Sequence, residues 1–318
     1  MTSIGIDVGG SSIKAVLTGG DAQVIARTQH PTLAAEPVEV TVRQMHRCIE
    51  TLRADAAAAG FDPASLAGIG VGMPGAIDHA RGVVYHPPNL PAWEEVPLAA
   101  LLAERWGQPV RLENDANCAA LGERHFGAGR AVEDFIGLTL GTGVGSGIIL
   151  GGGIYHGPHG FAGEFGHMSI DAEGPLCNCG NRGCIEAYIG IHALMRDAIP
   201  ALRDDPRSPL HQRAREESEN IVPKDLSDAA ARGDATSHRI LRTAGERLGV
   251  AIASAANLLD VTTFIIGGGI AAAGAPLFDG IDASARSRVL KVHRDRLAIL
   301  PAELGNDAGM LGAAALML

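Results

Sequence analysis

The sequence predicts a two-domain α/β protein, and three observations carry that prediction. Short apolar runs of β character alternate with segments of helical period along the whole chain. The 318 residues exceed what a single hydrophobic core usually serves. Two distant segments also share one plan: Ile4-Gly-Ile-Asp-Val-Gly-Gly-Ser-Ser-Ile-Lys-Ala-Val16 and Ile136-Gly-Leu-Thr-Leu-Gly-Thr-Gly-Val-Gly-Ser-Gly-Ile-Ile149. Each is an apolar strand, a Gly/Ser/Thr turn and a second apolar strand, a weak internal repeat that implies two related halves.

The elements follow in order. Ser3 to Val8, Ser12 to Leu17 and Gln23 to Thr28 read as short strands separated by turn residues, and Val38 to Ala59 as a helix. Leu66 to Met73 is a buried strand, Val83 to Tyr85 a short one, Leu98 to Trp106 a helix and Val110 to Glu113 a strand. A helix is expected over Ala116 to Phe126, with strands again over Phe135 to Leu140 and Val144 to Leu150. Gly151 to Gly183 is rich in loop residues. Ile191 to Ile199, Leu226 to Arg232 and Ser237 to Leu259 have helical period; Thr262 to Ile266 is a strand that opens onto Gly267-Gly-Gly269; Asp307 to Met317 is a closing Ala/Leu-rich helix. Arg203 to Asn220, rich in Pro, Arg, Glu and Ser, reads as an exposed linker or insertion.

Composition narrows the partners. Twenty-six basic against 36 acidic residues give a net charge of −10, which disfavours nucleic acid and anionic membrane. No apolar stretch approaches the roughly 20 residues of a membrane span, and the first residues carry no basic flank, so the cytoplasm is the expected location. An anionic ligand remains open to the chain, because turns of successive backbone N–H groups supply local positive potential.

The two glycine turns have that character. Two such nests, facing each other, would grip a polyphosphate, with glycine letting the phosphates approach. Asp7, at the end of its strand, suits Mg²⁺, directly or through water. Lys14 either neutralises phosphate charge or sits in solvent. Either hairpin alone reads equally well as an ordinary flexible turn; the pair with Asp7 favours a nucleotide. There is no G-x-x-x-x-G-K-[ST] motif, and Gly70-Val-Gly-Met-Pro-Gly75 matches the dinucleotide pattern without the helix a pyrophosphate needs, so it is read as a tight turn.

Of five cysteines, Cys48 and Cys118 lie on helical patterns and are expected in cores. Cys177, Cys179 and Cys184, with His167 upstream, offer three thiolates and an imidazole, a set that suits tetrahedral, structural Zn²⁺. A disulfide would leave one thiol over. Asn114 and Asp115 stand at a strand-to-helix junction, where both types are favoured N-caps, but a carboxylate there also suits proton abstraction. Glu164 and Glu186 flank the cysteine loop and read either as surface carboxylates or as a fork onto sugar hydroxyls; Asn89 reads as a turn residue or a further polar contact.

These residues resemble the ROK family (repressors, open reading frames and sugar kinases) of the actin/hexokinase-like superfamily, nearly end to end. The likeness covers Gly5-Ile-Asp-Val-Gly-Gly-Ser-Ser-Ile-Lys14, Glu113-Asn-Asp-Ala-Asn117, Leu140-Gly-Thr-Gly-Val-Gly145, Glu164-Phe-Gly-His167, Cys177-Asn-Cys-Gly-Asn-Arg-Gly-Cys-Ile-Glu186 and Gly267-Gly-Gly269. It implies a two-domain, ribonuclease H-like α/β fold with an interdomain cleft and a zinc-binding loop. The expected first domain is residues 1–118, with a terminal helix at 305–318 crossing back to it; the second is 119–304.

The resemblance further implies ATP-dependent phosphorylation of a hexose. Asp115 would be the general base toward the 6-hydroxyl. Gly75, Asn89, Asn114, Glu164, His167 and Glu186 would hold the sugar, with His167 also on zinc beside Cys177, Cys179 and Cys184. Asp7, Gly9, Gly10, Ser11, Ser12, Lys14, Gly141, Thr142 and Gly143 would hold ATP and Mg²⁺, with Gly267, Gly268 and Gly269 near the adenosine. Ser11 stands where many relatives have Thr; the hydroxyl is kept. Pro88-Asn-Leu-Pro-Ala-Trp93 is similar to bacterial glucokinases, so glucose is the favoured sugar, while Cys184-Ile-Glu-Ala-Tyr188 is shared with N-acetylmannosamine and N-acetylglucosamine kinases. Family members that regulate transcription carry a helix-turn-helix ahead of the first strand; only three residues precede Ile4 here, which disfavours that class. A homodimer or homotetramer is the expected assembly.

Overall fold

A computed structural model describes residues 2–19, 23–61 and 66–318. The chain forms two compact units. The first comprises Met1–Glu133, Gly147–Ala162 and Glu303–Leu318, and the second Asp134–Ser146 and Gly163–Ala302. The sequence boundary expected after Cys118 falls inside a helix, Asp115–Phe126, which lies wholly in the first unit.

In the first unit, strands β1 (Thr2–Val8), β2 (Ser12–Thr18) and β3 (Val24–Pro31) form an antiparallel meander. Helix α1 (Val38–Ala58) follows, burying Val42, Met45, Ile49, Leu52 and Ala56 at helical spacing. Strand β4 (Leu66–Met73) is covered on both faces and pairs parallel with β1. A small sheet of β5 (Ala76–Asp78), β6 (Val83–Tyr85) and β7 (Glu95–Val96) precedes α2 (Leu98–Trp106). Strand β8 (Val110–Asn114), parallel to β4, then runs directly into α3 (Asp115–Phe126). The main sheet order is β3-β2-β1-β4-β8. Its core includes Ile4, Ile6, Met45, Ile49, Ile69 and Val71, all fully buried.

The next strands, β9 (Phe135–Leu140), β10 (Val144–Leu150) and β11 (Gly153–Ile154), begin a second five-stranded sheet. Strand β9 belongs to the second unit and β11 to the first; the second unit also holds α4 (Glu186–Ile189), α5 (Ile191–Arg203), α6 (His211–Glu216), α7 (Pro223–Ala231) and α8 (Ala235–Leu259). Asp234 caps α8 by accepting from the Ser237 N–H, which satisfies a donor the helix leaves free. Strand β12 (Thr263–Gly267), α9 (Ala275–Arg288), α10 (Lys291–Arg294) and β13 (Ala298–Pro301) complete it.

The second sheet has the order β11-β10-β9-β12-β13, with β12 parallel to both β9 and β13. Both sheets therefore read third, second, first, then two parallel strands. The repeat seen in the two glycine segments is a repeat of topology, and the fold is the actin/hexokinase-like one.

Helix α11 (Ala308–Ala315) returns to the first unit, where the Ser3 hydroxyl donates to the Ala314 carbonyl at 3.0 Å. It packs on α3 so closely that a Cβ at Gly312 would fall 1.6 Å from the Cys118 carbonyl oxygen. Gly312→Ala is therefore expected to destabilise the protein by about 3 kcal/mol or more, read as a lower midpoint in urea unfolding; an unchanged midpoint would show that the helix pair has room to part.

The structure corrects the expectation that Arg203 to Asn220 is an exposed linker. Leu210 and Ala214 are buried, α6 forms within it, and the Arg203 guanidinium donates to the Ala214 carbonyl. Among the described residues, no helix is long and apolar enough to cross a membrane.

Candidate active site

In the first unit, the candidate residues gather where parallel strands end, the side of an α/β sheet at which ligands bind. Asp7 of β1 lies opposite Gly72 of β4, and Gly72 opposite Glu113 of β8. One residue further along, Met73 faces Asn114. Gly75 turns the chain out of β4 at φ +95°, where a Cβ would also meet Pro87 at 2.8 Å. Asn114 caps α3, its Oδ1 accepting from the N–H groups of Ala116 (2.9 Å) and Asn117 (3.3 Å). The N-cap role of Asn114 thus occupies its oxygen, while its amide donors stay clear of the cap.

Asp115 is open to solvent, yet the protein around it strips water from its carboxyl and raises the pKa, against the lowering effect of the Ala116 N–H. Asp7 is raised to about 6, chiefly by burial and then by the Asp115 charge, with Lys14 acting the other way. Asp7 thus senses the Asp115 charge. A Cβ on Gly309 would lie 2.9 Å from the Asp7 Cγ, so Asp7 rests against the first turn of α11.

The β1–β2 turn is closed by Gly9 N–H donating to the Ser12 carbonyl at 3.0 Å, and the Thr32 hydroxyl holds the Gly9 carbonyl at 2.6 Å. Gly10 and Ser11 lie at its tip, Gly10 and Ser11 both exposed, with Asn89 packed against Gly10. Lys14 Nζ reaches the Asn306 carbonyl at 3.5 Å.

In the second unit, Gly141 N–H donates to the Gly143 carbonyl at 2.9 Å, forming the second turn at the end of β9. Beside it runs Gly267 to Gly269, which begins at the last residue of β12; a Cβ on Gly268 would fall 2.3 Å from the Leu140 carbonyl oxygen, and its φ is +88°. Glu186, at the start of α4, accepts the Val144 N–H at 3.0 Å and packs on Gly143. One of its oxygens is thereby spent on the turn, leaving the other for a ligand. A pocket of about 200 Å³ here includes Thr142, Cys177 and Glu186 in its lining.

His167 Nδ1 lies 3.8 Å from Cys177 Sγ, and Cys179 Sγ lies 3.6 Å from Cys184 Sγ. The four ligand atoms all fall within 4.8 Å of one another. A tetrahedral ion with bonds of about 2.3 Å has ligand–ligand edges of about 3.8 Å, so the set fits such a metal. Burial and the neighbouring thiols push Cys184 up to about 12, so its ionisation calls for a cation. The other imidazole nitrogen, Nε2, faces Glu164 at 3.9 Å. All five cysteines are free thiols, and Cys48 and Cys118 are core residues as expected.

One group carries no role of its own in the sequence pattern. Glu113, only 2% exposed, is bonded by His79 and His156, residues from two separate turn-rich stretches.

A model described as ROK family matches residues 3–318. The glucokinase of Thermotoga maritima is 34% identical over 314 residues, covering 99% of this chain and 96% of that protein. A ROK family glucokinase from Streptomyces griseus, crystallised with glucose and AMPPNP, superposes with a TM-score of 0.83 at 34% identity, covering 99% of both chains. The xylose repressor of Bacillus spizizenii is 30% identical over 320 residues, 99% of this chain and 77% of that one.

Proposed function

The chain belongs to the ROK family, and from that premise we propose that it is a glucokinase, transferring the γ-phosphoryl group of ATP to the 6-hydroxyl of glucose. The observation that carries this is the likeness, over nearly the whole of both chains, to an enzyme crystallised with glucose and an ATP analogue. Asp115 accepts the proton of the 6-hydroxyl. That oxygen bonds to the γ-phosphorus as the bond to the bridging oxygen breaks, giving hexose 6-phosphate and ADP. The raised pKa of Asp115 suits it to proton abstraction, since the carboxylate is a stronger base than an ordinary one; activity is then lost as pH falls through that raised value.

Asn114 amide, Asn89, Gly75, Glu164, His167 Nε2 and the second oxygen of Glu186 are the proposed contacts to the remaining sugar atoms. Asp7 would hold Mg²⁺, Lys14 and the turn at Gly9 to Ser12 the phosphates, with Gly141 to Gly143 on the same polyphosphate and Gly267 to Gly269 beside the adenosine. Zinc on His167, Cys177, Cys179 and Cys184 would be structural, with four protein ligands and no open position. His167 is then fixed in one tautomer, with Nε2 free to face the sugar.

The exposed Leu258 and Leu290, linked through the Asn257 side chain, offer an apolar surface for a homodimer or homotetramer, which light scattering checks. The cytoplasm is the location proposed for this metabolism.

A coupled ADP-release assay tests the reading across glucose, mannose, fructose, N-acetylmannosamine and N-acetylglucosamine, with polyphosphate replacing ATP in parallel. Glucose is expected to have the highest kcat/KM, by roughly 10-fold or more. An N-acetyl-hexosamine ahead of glucose would reassign the substrate.

A further inference from the structure

The structure places a buried carboxylate directly behind the base, and we propose that Glu113 is a positioning residue for phosphoryl transfer, with His156 as its charged partner. The inference rests on Asp115 being the base and adds what aims it. Glu113 Oε1 accepts from the Asn114 N–H at 2.8 Å and from Asn117 Nδ2 at 2.9 Å. These residues flank Asp115 on either side, so a single carboxylate oxygen pins both ends of the turn that carries the base.

The same oxygen is bonded by His79 Nε2 at 3.1 Å, and Oε2 by His156 Nε2 at 2.6 Å. Burial alone would raise Glu113, but the bonds from His156, His79 and Asn117 outweigh it and hold the pKa at about 2. Glu113 is therefore ionised and accepts only, which makes both imidazole nitrogens donors. The two rings lie 4.3 Å apart between centroids, tilted by 56°.

A carboxylate buried to this degree is costly unless its partners compensate it. A packed apolar residue would fill the space at lower cost but would leave the Asn114 N–H and the Asn117 amide without this acceptor. The hub also reaches beyond the turn. His79 follows β5, and His156 follows β11 in the stretch that leads on to Glu164. One buried charge thus ties two other segments of the first unit to the β8–α3 junction.

His156 is the group whose charge the hub depends on. It faces Glu113 from β8 and His79 from the β5–β6 turn, and the adjoining pocket of about 520 Å³ adds His125 from α3 and Arg111 from β8. The Glu113 bond favours the imidazolium form of His156 against the opposing effect of burial. Because the folded-state pKa is raised, the charged link is complete at low pH and lost as pH rises through that value. Once it is lost, the Oε2 bond no longer joins opposite charges, and the turn is free to shift. A displacement of the order of 1 Å costs about 10²-fold in rate.

The test is the pH dependence of kcat and of the sugar KM, for wild type, His156→Arg, His156→Gln and Glu113→Gln, with the imidazole NMR titration of His156 in wild type and Glu113→Gln. Wild type should lose kcat on the alkaline side. His156→Arg, permanently charged, should keep it to about pH 9.5, and His156→Gln should be flat there at roughly 10-fold lower kcat. Glu113→Gln should lower kcat about 10²-fold with the sugar KM within about 3-fold, and should lower the His156 pKa by about one unit.

The proposal is overturned if both His156 variants keep the wild-type alkaline limb. It is equally overturned if Glu113→Gln melts earlier yet turns over normally. A second metal equivalent per chain, lost in His156→Arg, would make the cluster a metal site instead. Should Glu113→Gln fail to fold, the two His156 profiles decide the matter. A wild-type protein that phosphorylates no sugar would remove the base itself, an outcome distinct from an active enzyme whose profile ignores His156.

Discussion

Replacing Asp115 by Asn is expected to lower kcat for glucose phosphorylation by roughly 10³-fold or more, about 4 kcal/mol of barrier, while glucose still binds. The amide keeps the size and the hydrogen bond to the Ala116 N–H but cannot take a proton from the sugar. Isothermal titration with glucose separates the two roles, since a base acts on the barrier and a binding group on affinity. Near-normal turnover would remove Asp115 as base.

The same substitution is expected to raise stability at pH 8. The native pKa of Asp115 is above its unfolded value of about 3.9, so the unfolded state releases its proton more readily, and ionisation costs the fold stability as pH rises across that interval. Asn abolishes that cost. The gain in melting temperature should therefore be present at pH 8 and vanish below about pH 4, where both states hold the proton. Asp7 provides a second readout. Its elevation to about 6 owes part to the Asp115 charge, and its titration should move down in the variant.

The second large effect concerns the cysteine loop. Cys184→Ser, or removal of metal by a strong chelator, is expected to weaken glucose binding by about 10²-fold and to lower the melting temperature by roughly 10 °C. Cys184 is fully buried, and Cys177 and Ala187 are buried with it in a small cluster of their own. An ion would therefore supply much of what holds the loop closed. His167 is the link to the sugar: without a partner for Nδ1, the imidazole loses the constraint on its ring orientation and tautomer. Elemental analysis, differential scanning and sugar titration of the same samples check the chain of effects. Freshly purified protein without zinc, or a serine variant that binds glucose normally, would end the argument. Acid should also release the metal, because thiolates and a neutral imidazole must take up protons to let it go.

What can be read from the sequence depends on how each element signals itself. The strands β1, β2, β4, β8, β9 and β10 show short runs of β character bounded by turn or capping residues, and the structure places them within a residue or so of expectation. Helix α9 escapes the pattern because small residues make up most of its buried face. Leu277 and Ile281 are its buried anchors, but Gly280, Ser284 and Ala285 share their stripe and dilute its apolar signal, and Gly280 lies so close to α8 that a Cβ would meet the Arg242 carbonyl at 2.4 Å. Strands β5, β7 and β11 have three residues or fewer, too short for any period. The linker expected over Arg203 to Asn220 is wrong because its charged residues hide single buried anchors, Leu210 and Ala214.

The site divides the same way. Asp7, Asn114, Asp115 and the cysteines announce themselves because their residue types and local spacing carry the chemistry. The Glu113 hub does not, because its histidines lie 34 and 43 positions away and meet it only through the topology. Glu113 itself stands at a strand end beside residues with more recognisable chemistry. In Val110-Arg-Leu-Glu-Asn114 it is one of two charged residues, and nothing local sets it apart from the exposed Arg111.

The return of α11 to the first unit bears on how the chain is made. Strand β1 leaves the ribosome long before α11, since its hydrogen-bonded neighbour Ala314 follows 311 residues after Ser3. The second unit is nearly one continuous stretch, Gly163–Ala302, and all of it emerges before α11 does. During synthesis the earlier unit therefore waits, with the Ile4–Ile6 sheet built but one side of it uncovered, while the later unit has its full sequence available. Translation order and completion order are reversed: the half that starts first closes last, and the interval between them is the time in which a nascent chain exposes apolar surface to chaperones.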